Sequence, residues 1–243
     1  MNSFLSALQF LTLFPCPKRV EHRADEIGPA AIFFPIVGFF LGSILALANF
    51  LLEPFASAIL ISAVVVTLLA LLTRGLHLDG LGDTFDGLGA GGERQRMLRI
   101  MDDSHTGAFG LIAIVLVLFF KIHAIEGLDS ERWRALLSAP VLSRWAMVLL
   151  GHHAQAAKQG LGSTFIDHLS AHHVFLATLI TAVLVVGILH GAGIAMMGWV
   201  AVFTIASKAY FHRRLGGITG DSFGAVGELS ETSVLFFLAL GLR

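Results

Sequence analysis

The stretch IGPAAIFFPIVGFFLGSILALANFLL, residues 27 to 52, contains 26 consecutive residues without a charged side chain. A helix needs about 20 mostly apolar residues to cross the hydrocarbon core of a bilayer, so this stretch predicts a transmembrane helix. The whole chain of 243 residues has the same character, with 56% hydrophobic residues, 14% charged residues and a mean hydropathy of +0.80. Because a soluble domain has about 25% charged residues, this composition excludes an ordinary soluble enzyme and a disordered chain.

Further apolar stretches predict the remaining helices, and two of them carry a single basic residue, Lys121 in 107–125 and Arg144 in 135–157. Residues 54–73, 107–125 and 135–157 each form a candidate span, and 169–207 forms two spans joined by a turn at 191–193. The last uncharged stretch, 232–242, has 11 residues and spans only if its helix starts near Gly224 and carries Glu228 and Glu231 inward. We therefore predict one all-α domain over residues 1–243, a polytopic helical membrane bundle of about six to seven transmembrane helices.

The first residues, Met1 to Phe14, lack a basic leader and a small-residue cleavage site, so we do not expect a cleavable signal. They predict a short amphipathic helix at the membrane interface. The formal net charge of −1 supplies no basic field for nucleic acid, and the single cysteine, Cys16, excludes a disulfide framework.

The distribution of lysine and arginine predicts the orientation. With the N-terminus in the cytoplasm, four basic residues lie outside: Lys121, Arg132, Arg134 and Arg243. The inside segments then hold 11 basic residues: Lys18, Arg19, Arg23, Arg74, Arg94, Arg96, Arg99, Lys158, Lys208, Arg213 and Arg214. This bias places two polar segments, residues 74–106 and 208–232, on the cytoplasmic face of the membrane.

The first polar segment contains six of the 17 acidic residues of the chain. Asp79, Asp83 and Asp86 are spaced four and three apart, so on a helix they fall within about 60° of one another. Like charges at that spacing repel, and hard oxygen ligands on one face suit Mg²⁺ or Mn²⁺. The alternative is a solvated acidic face without a metal. Glycines between the acids permit close approach of a bulky substrate.

Four other residues of the chain are candidates for substrate binding: His77, Arg99, Ser104 and Arg144. His77 is a metal ligand, a phosphate contact or an interfacial polar residue. Arg99 is the best placed of the nearby arginines to reach a phosphate, because it precedes Asp102, Asp103 and Ser104. Arg144 lies in the middle of a predicted span, where a charged residue is expensive; it either serves function or pairs with a buried acid.

The second polar segment reads KAYFHRRLGGITGDSFGAVGELSE from residue 208 to 231. Its glycine-rich turn, with Thr219, Gly220 and Ser222, predicts a cradle for phosphate oxygens, and Asp221 is a candidate metal ligand. The alternative is a flexible loop followed by a capped helix. The histidine pairs at 152–153 and 172–173 lack a third ligand at a recognisable spacing, so we interpret them as interfacial histidines.

The runs RGLHLDGLGDTFDGL (74–88) and RMLRIMDDSHTGAFG (96–110) resemble cobalamin synthase, the adenosylcobinamide-GDP ribazoletransferase family. Further segments resemble that family in the right order: LQFLTLFPCP (8–17), FFPIVGFFLG (33–42), PVLSRWAM (140–147) and GGITGDSFGAVGELSE (216–231). The resemblance covers nearly the whole chain. It departs from the family pattern at Asp102, where we expect lysine, and at His105, where we expect arginine.

The resemblance implies a multi-pass protein of the bacterial inner membrane that joins adenosylcobinamide-GDP to α-ribazole, or its 5′-phosphate, and releases GMP. It implies Mg²⁺ as cofactor, held by Asp79, Asp83 and Asp86 with Asp103 beside them. For the reaction we expect a Mg²⁺-assisted in-line attack of the ribazole 5′-hydroxyl on the diphosphate, with Asp83 or Asp86 as the proton acceptor where it is not committed to the metal. Arg74, Arg99 and Arg144 are then expected to hold phosphate oxygens. A homo-oligomer and an association with other cobalamin-assembly enzymes are left open.

Two other functions are considered. A lipid-forming phosphotransferase with a CDP-linked donor uses similar chemistry, but the Ala-Arg that follows the first Asp-Gly in that motif is absent here. A divalent-cation transporter predicts acids at mid-membrane on broken helices, often in two related halves, whereas here the cluster lies at the end of a span and no internal repeat is evident.

Overall fold

The computed structural model describes residues 2–14 and 27–241, and within these ranges the chain forms helices and no β-strand. The predicted all-α fold is confirmed. In chain order the α-helices are α1 (Asn2–Leu11), α2 (Ile27–Ala30), α3 (Phe34–Leu52), α4 (Ala58–Leu72), α5 (Leu76–Ala90), α6 (Arg94–Met101), α7 (Ala108–Glu126), α8 (Arg132–Gly151), α9 (Leu161–His168), α10 (Ala171–Leu189), α11 (Gly191–Leu215) and α12 (Gly220–Ala239).

Four stretches of the described chain are long and apolar enough to cross a membrane: Ile27–Leu52, Ala108–Glu126, Ala171–Leu189 and Gly191–Leu215. A fifth is added if α4 and α5 form one broken span. The multi-pass class is therefore supported, while the predicted count of six to seven spans is not confirmed. Helices α8 and α12 have 20 residues each, about 30 Å in length, but both carry charged residues.

Helix α4 is shorter than the predicted span at 54–73, because the turn after Glu53 extends to Ser57. The acidic stripe also does not continue α4 in a straight line. Arg74 and Gly75 adopt left-handed conformations, with φ of 56° and 66°, and α5 leaves α4 at 88°. Glycine adopts this conformation without a steric penalty, so Gly75 is the natural hinge residue of the bend.

Helix α8 is the central helix of the bundle and packs against α3, α10, α11 and α12. Two glycines of α3 permit the closest of these contacts. A Cβ atom on Gly38 would lie 2.5 Å from the carbonyl oxygen of Pro140, and one on Gly42 would lie 2.6 Å from that of Leu136. Small residues at such crossings let two helix backbones approach closely, as in other membrane bundles.

A buried ion cluster joins α7, α8 and α12. The Lys121 ammonium donates to Glu228 and Glu231, each at 2.7 Å, and Arg144 donates to the second oxygen of Glu231 at 2.8 Å. All four side chains are buried. Glu228 and Glu231 point inward, which is the condition stated for a span at the end of the chain, and α12 begins four residues earlier than Gly224. Lys121, counted among the outside residues in the orientation prediction, is instead inside the bundle.

The N-terminal segment forms the expected helix, α1, which packs against α2 and α3. After α1, the Leu13 amide donates to the Leu72 carbonyl at 2.8 Å, which fastens this segment beside the bend between α4 and α5. Several residues used in the sequence predictions lie outside the described ranges: Cys16, Lys18, Arg19, Arg23 and Arg243.

We expect Lys121→Met to destabilise the protein by about 3 kcal/mol, because it leaves Glu228 buried without its cation. The measurement is the free energy of unfolding in mixed micelles. Adding Glu228→Gln to this variant should recover at least half of the loss, since the remaining pair, Arg144 and Glu231, is balanced.

The matched control is Arg134→Met, which breaks a surface pair with Glu131 whose side chains are 36% and 33% exposed. Such pairs contribute about 1 kcal/mol or less. Equal losses in Lys121→Met and Arg134→Met would contradict a structural role for the buried cluster.

Candidate functional site

A cavity of about 310 Å³ lies where α5, the start of α12 and the loop between α8 and α9 meet. Its volume is within the range of small-molecule sites. The polar residues around it include His77 and Asp79 of α5, Lys158 of the loop, and Gly220 and Asp221 of α12. Four of these five were candidates from the sequence, and Lys158 was not.

The loop between α8 and α9 is held against the second polar segment by backbone hydrogen bonds. The Ala157 amide donates to the Ile218 carbonyl at 2.9 Å, and the Ile218 amide donates to the Gln155 carbonyl at 2.8 Å. From the first polar segment, Arg94 donates to the Ala157 carbonyl at 3.2 Å. The two polar segments therefore contact the same loop, although more than 100 residues separate them in the sequence.

Two glycines bring α5 and α12 together beneath the cavity. A Cβ atom on Gly80 would lie 2.9 Å from the Asp221 carbonyl oxygen, and one on Gly224 would lie 2.9 Å from the His77 carbonyl oxygen. Real Cβ atoms do not approach so closely, so larger residues would push the helices apart. This contact places Asp79 and Asp221 on the wall of one cavity.

The acidic stripe forms on one helix, as predicted, and its members have different surroundings. Asp79 is exposed and Asp83 is half-buried, and neither has a hydrogen bond or ion pair with a described residue. Asp79, Asp221 and Lys158 lie close enough to Asp83 for their charges to act on it. Within residues 2–14 and 27–241, no three His, Cys, Asp or Glu side chains are grouped so as to enclose a metal ion by themselves.

Asp86, the third acid of the stripe, binds backbone. Its two carboxylate oxygens accept hydrogen bonds from the Gly107 amide at 2.6 Å and the Gly110 amide at 2.8 Å, both at the start of α7. A carboxylate at a helix N-terminus satisfies free amides and interacts favourably with the helix dipole. Asp86 therefore fastens α7 to α5, and it is buried away from the lining of the cavity.

Lys158 connects the two polar segments at the cavity. Its ammonium donates to Asp102 at 2.5 Å and to Asp221 at 3.3 Å. Partial burial lowers the pKa of Lys158, but hydrogen bonds and charge attraction from Asp102 and Asp221 outweigh it and raise that pKa above its usual value. Lys158 is therefore a fixed positive charge at neutral pH. Sequence reasoning missed it because its partners lie 56 and 63 residues away along the chain.

The turn after α6 carries Asp103 and Ser104, and both are exposed outside the cavity lining. The carboxylate of Asp103 accepts hydrogen bonds from the side chain of His105 at 2.7 Å and from its amide at 3.0 Å. These bonds lower the pKa of Asp103. Arg99 is exposed on α6 and makes no ion pair with a described residue. None of these three candidates therefore lines the cavity.

Arg144 is 1% exposed, and its guanidinium is directed to Glu231. The sequence left two roles open for Arg144, a function in the reaction or a pairing with a buried acid. In the structure it pairs with a buried acid. Its second terminal nitrogen lies 3.5 Å from His77 Nδ1. Because a guanidinium only donates, Nδ1 accepts, so Nε2 carries the ring proton of His77. His77 therefore joins the cavity wall to the buried ion cluster.

The remaining candidates lie at two different places. Thr219 is buried, and its hydroxyl accepts from the Ser222 amide at 3.1 Å as the N-cap of α12. Arg74 lines a second cavity of about 530 Å³, which shares Phe10, Leu76 and Asp79 with the first. Asp79 therefore lies where two cavities meet.

The profile of one protein family, described as cobalamin-5-phosphate synthase, matches residues 3–239. The chain belongs to this family. Relatives named adenosylcobinamide-GDP ribazoletransferase are 40% identical in Geotalea daltonii, covering 100% of this chain and 99% of the relative, and 38% identical in Syntrophobacter fumaroxidans, covering 96% of each. A third, from Pseudomonas syringae, is 40% identical over 99% of this chain and 100% of its own length.

No solved structure matches the chain. The resemblance drawn from the sequence motifs is confirmed by the family match, which extends over both polar segments and all the helices between them. The cavity between those segments is therefore the candidate active site of this cobalamin-5-phosphate synthase family member.

We expect Asp86→Ala to lower the free energy of unfolding by about 2 kcal/mol, because it removes the carboxylate that caps α7. The matched control is Asp83→Ala on the same helix. Asp83 has no hydrogen-bond partner and is repelled by neighbouring acids, so its removal should leave stability unchanged or higher. An equal loss of stability in both variants would show that the Asp86 cap is not the source of the effect.

Proposed function

We propose that this chain joins adenosylcobinamide-GDP to ribazole and releases GMP. The full-length similarity to relatives named for this activity supports the proposal and does not favour the CDP-linked lipid enzyme or the cation transporter. The structural observation that carries it is the cavity at which Lys158, Asp79 and Asp221 converge. We further propose that the protein lies in the bacterial cytoplasmic membrane, with its N-terminus and both polar segments on the cytoplasmic side.

The diphosphate of adenosylcobinamide-GDP is proposed to bind beside Lys158. Two helices, α9 and α12, begin at this cavity, and a Cβ atom on Gly162 of α9 would lie 2.9 Å from the Gly220 amide nitrogen of α12. Helix N-termini carry free amides and partial positive charge, which suit phosphate oxygens. Together with the Lys158 ammonium, they supply the positive potential that the exposed Arg99 was expected to supply.

The acids around this positive centre fit Mg²⁺. Asp83 and Asp221 each retain carboxylate oxygens without a hydrogen-bond donor, and hard oxygen donors are the ligands that Mg²⁺ prefers. Mg²⁺ in phosphate sites usually takes one or two carboxylates and completes its shell with substrate phosphate and water, so a three-acid cage is not needed. Bound between Asp83 and Asp221, the ion would neutralise charge on the diphosphate.

The reaction is an attack of the ribazole 5′-hydroxyl on the phosphorus attached to cobinamide. A new phosphorus–oxygen bond forms, and the bond from that phosphorus to the bridging oxygen of GMP breaks. Asp79 is proposed to accept the hydroxyl proton, because it is exposed on the cavity wall and has no competing partner among the described residues. Lys158 holds the phosphate oxygens in line, and Asp86 maintains the packing of α5 on α7.

We expect Lys158→Met to lower kcat/KM for adenosylcobinamide-GDP by about 100-fold, because a charge-assisted contact to phosphate is lost. The assay measures cobalamin product and GMP by mass spectrometry with the detergent-solubilised protein. Lys158→Arg should retain more activity than Lys158→Met. The control, Arg134→Met, removes a positive charge outside the cavity and should have normal activity. Normal activity in Lys158→Met would remove this residue from the mechanism.

We expect Asp83→Asn to remain folded and to lose more than about 100-fold of its Mg²⁺-dependent turnover, because a neutral amide is a poor ligand for a hard cation. The measurement is the initial rate at increasing Mg²⁺, with a chelator-treated sample as the zero point. Glu53→Gln, a change in the exposed turn after α3, is the control. Product formation by the wild-type protein that persists in chelator would contradict the metal site.

A further inference from the structure

Four phenylalanine rings from four helices line the cavity: Phe10 of α1, Phe34 of α3, Phe165 of α9 and Phe223 of α12. Phe34 and Phe165 are stacked, with ring centroids 5.5 Å apart and planes 11° apart. Phe10 stacks on Phe34 at 6.1 Å, and Phe223 meets Phe165 edge-on at 5.3 Å. Because consecutive rings contact each other, they form one continuous surface, the aromatic wall.

The four rings of the aromatic wall are unequally exposed. Phe34 is 1% exposed and Phe165 is 3% exposed, so these two are packed inside the protein. Phe10 and Phe223 are only partly buried and lie at the two ends of the wall. A ligand in the cavity therefore contacts Phe10 and Phe223, while Phe34 and Phe165 hold them in position.

We infer that the aromatic wall binds the benzimidazole base of ribazole. This inference rests on the proposed function. A flat, apolar two-ring base gains both burial and stacking against phenylalanine, which is a recurring way for proteins to hold a base. The cavity of about 310 Å³ can enclose a nucleoside, whereas a corrin ring system is too large for it.

Guanine, the other aromatic base in the reaction, suits this wall less well. Its edge carries several donors and acceptors, and a buried polar group without a partner is costly. Ser163, the cavity-lining hydroxyl nearest Phe165 in the chain, already donates to the Gly160 carbonyl at 2.8 Å and accepts from the Gly160 amide at 3.0 Å. The aromatic wall therefore matches the apolar base.

The position of the wall also orients the nucleoside. The charged residues of the same cavity are Asp79 and the contacting pair Lys158 and Asp221. With its base against the phenylalanines, ribazole directs its ribose 5′-hydroxyl toward these residues, where the proton acceptor and the diphosphate are proposed to lie. The base-binding surface thereby determines which hydroxyl is presented for attack.

The test measures binding of α-ribazole alone, and of GMP alone, by equilibrium dialysis with the full-length protein in detergent. We expect Phe223→Leu and Phe10→Leu each to raise the Kd for α-ribazole about fivefold to tenfold, because an aromatic face is lost while apolar volume is largely kept. Phe223→Tyr, which retains the ring, should stay within about twofold of the wild type. GMP binding should not change in any of these variants.

The control is Phe55→Leu, a change at a ring that is 85% exposed in the turn between α3 and α4. It should leave both Kd values unchanged, and thermal unfolding of each variant verifies that it is folded. Weaker GMP binding with unchanged α-ribazole binding would overturn the inference and assign the wall to guanine. Unchanged binding of both ligands in Phe10→Leu and Phe223→Leu would overturn it as well.

Turnover by the wild-type protein separates this inference from the proposed function. If the protein forms no cobalamin product from adenosylcobinamide-GDP and α-ribazole, the proposed function fails, whatever the dialysis shows. If product forms normally and α-ribazole binding is insensitive to both leucine variants, the transferase activity stands and only the assignment of the aromatic wall is wrong.

Discussion

The ion cluster of Lys121, Arg144, Glu228 and Glu231 constrains how the bundle is assembled, because two buried cations and two buried carboxylates must meet inside it. Lys121 comes from α7, Arg144 from α8 and both acids from α12, so no pair of these helices can rotate or slide without leaving a charge unpaired. Apolar packing in lipid gives weak positional preference, since lipid tails are as apolar as the side chains. Directional charge pairing fixes the register of α12 against α7 and α8.

The position of α12 along α7 and α8 determines the geometry of the candidate active site, because the start of α12 forms part of the cavity wall. Because α12 is fixed at its middle, by Glu228 and Glu231, its first turn, with Gly220 and Asp221, is held at the end of the bundle. The contact of Gly224 with α5 then positions His77, whose ring also contacts Arg144. The left-handed bend at residues 74–75 turns α5 away from α4 and across the start of α12. The cavity is thus formed by a helix end and a bend, supported on the buried charges.

Much of this fold follows from the sequence, since long apolar runs and spaced acids are local patterns. The runs at 27–52 and 107–125 correspond to helices, and the spacing of the stripe correctly places its acids on one helix. What could not be predicted depends on contacts between distant segments. Lys158 lies in a loop whose sequence has no distinguishing pattern. Only its contacts with Asp102 and Asp221 in the folded chain show that it belongs to the site. Likewise, Lys121 near the end of a span is compatible with either the membrane surface or a buried partner until α12 is placed.

The stripe itself shows why spacing alone does not assign chemistry. Asp79, Asp83 and Asp86 share one face of α5, yet the fold surrounds each differently. Asp86 meets the amides of α7 and is fully occupied by them, so it supports the helix packing. Asp79 lines the cavity and has no partner among the described residues. Asp83 lies between Asp79 and Asp86 along α5, close enough to Asp221 for the two charges to interact. A periodic pattern of identical side chains therefore meets three different environments, because a helix that crosses from a cavity to a neighbouring helix end changes its surroundings with every turn.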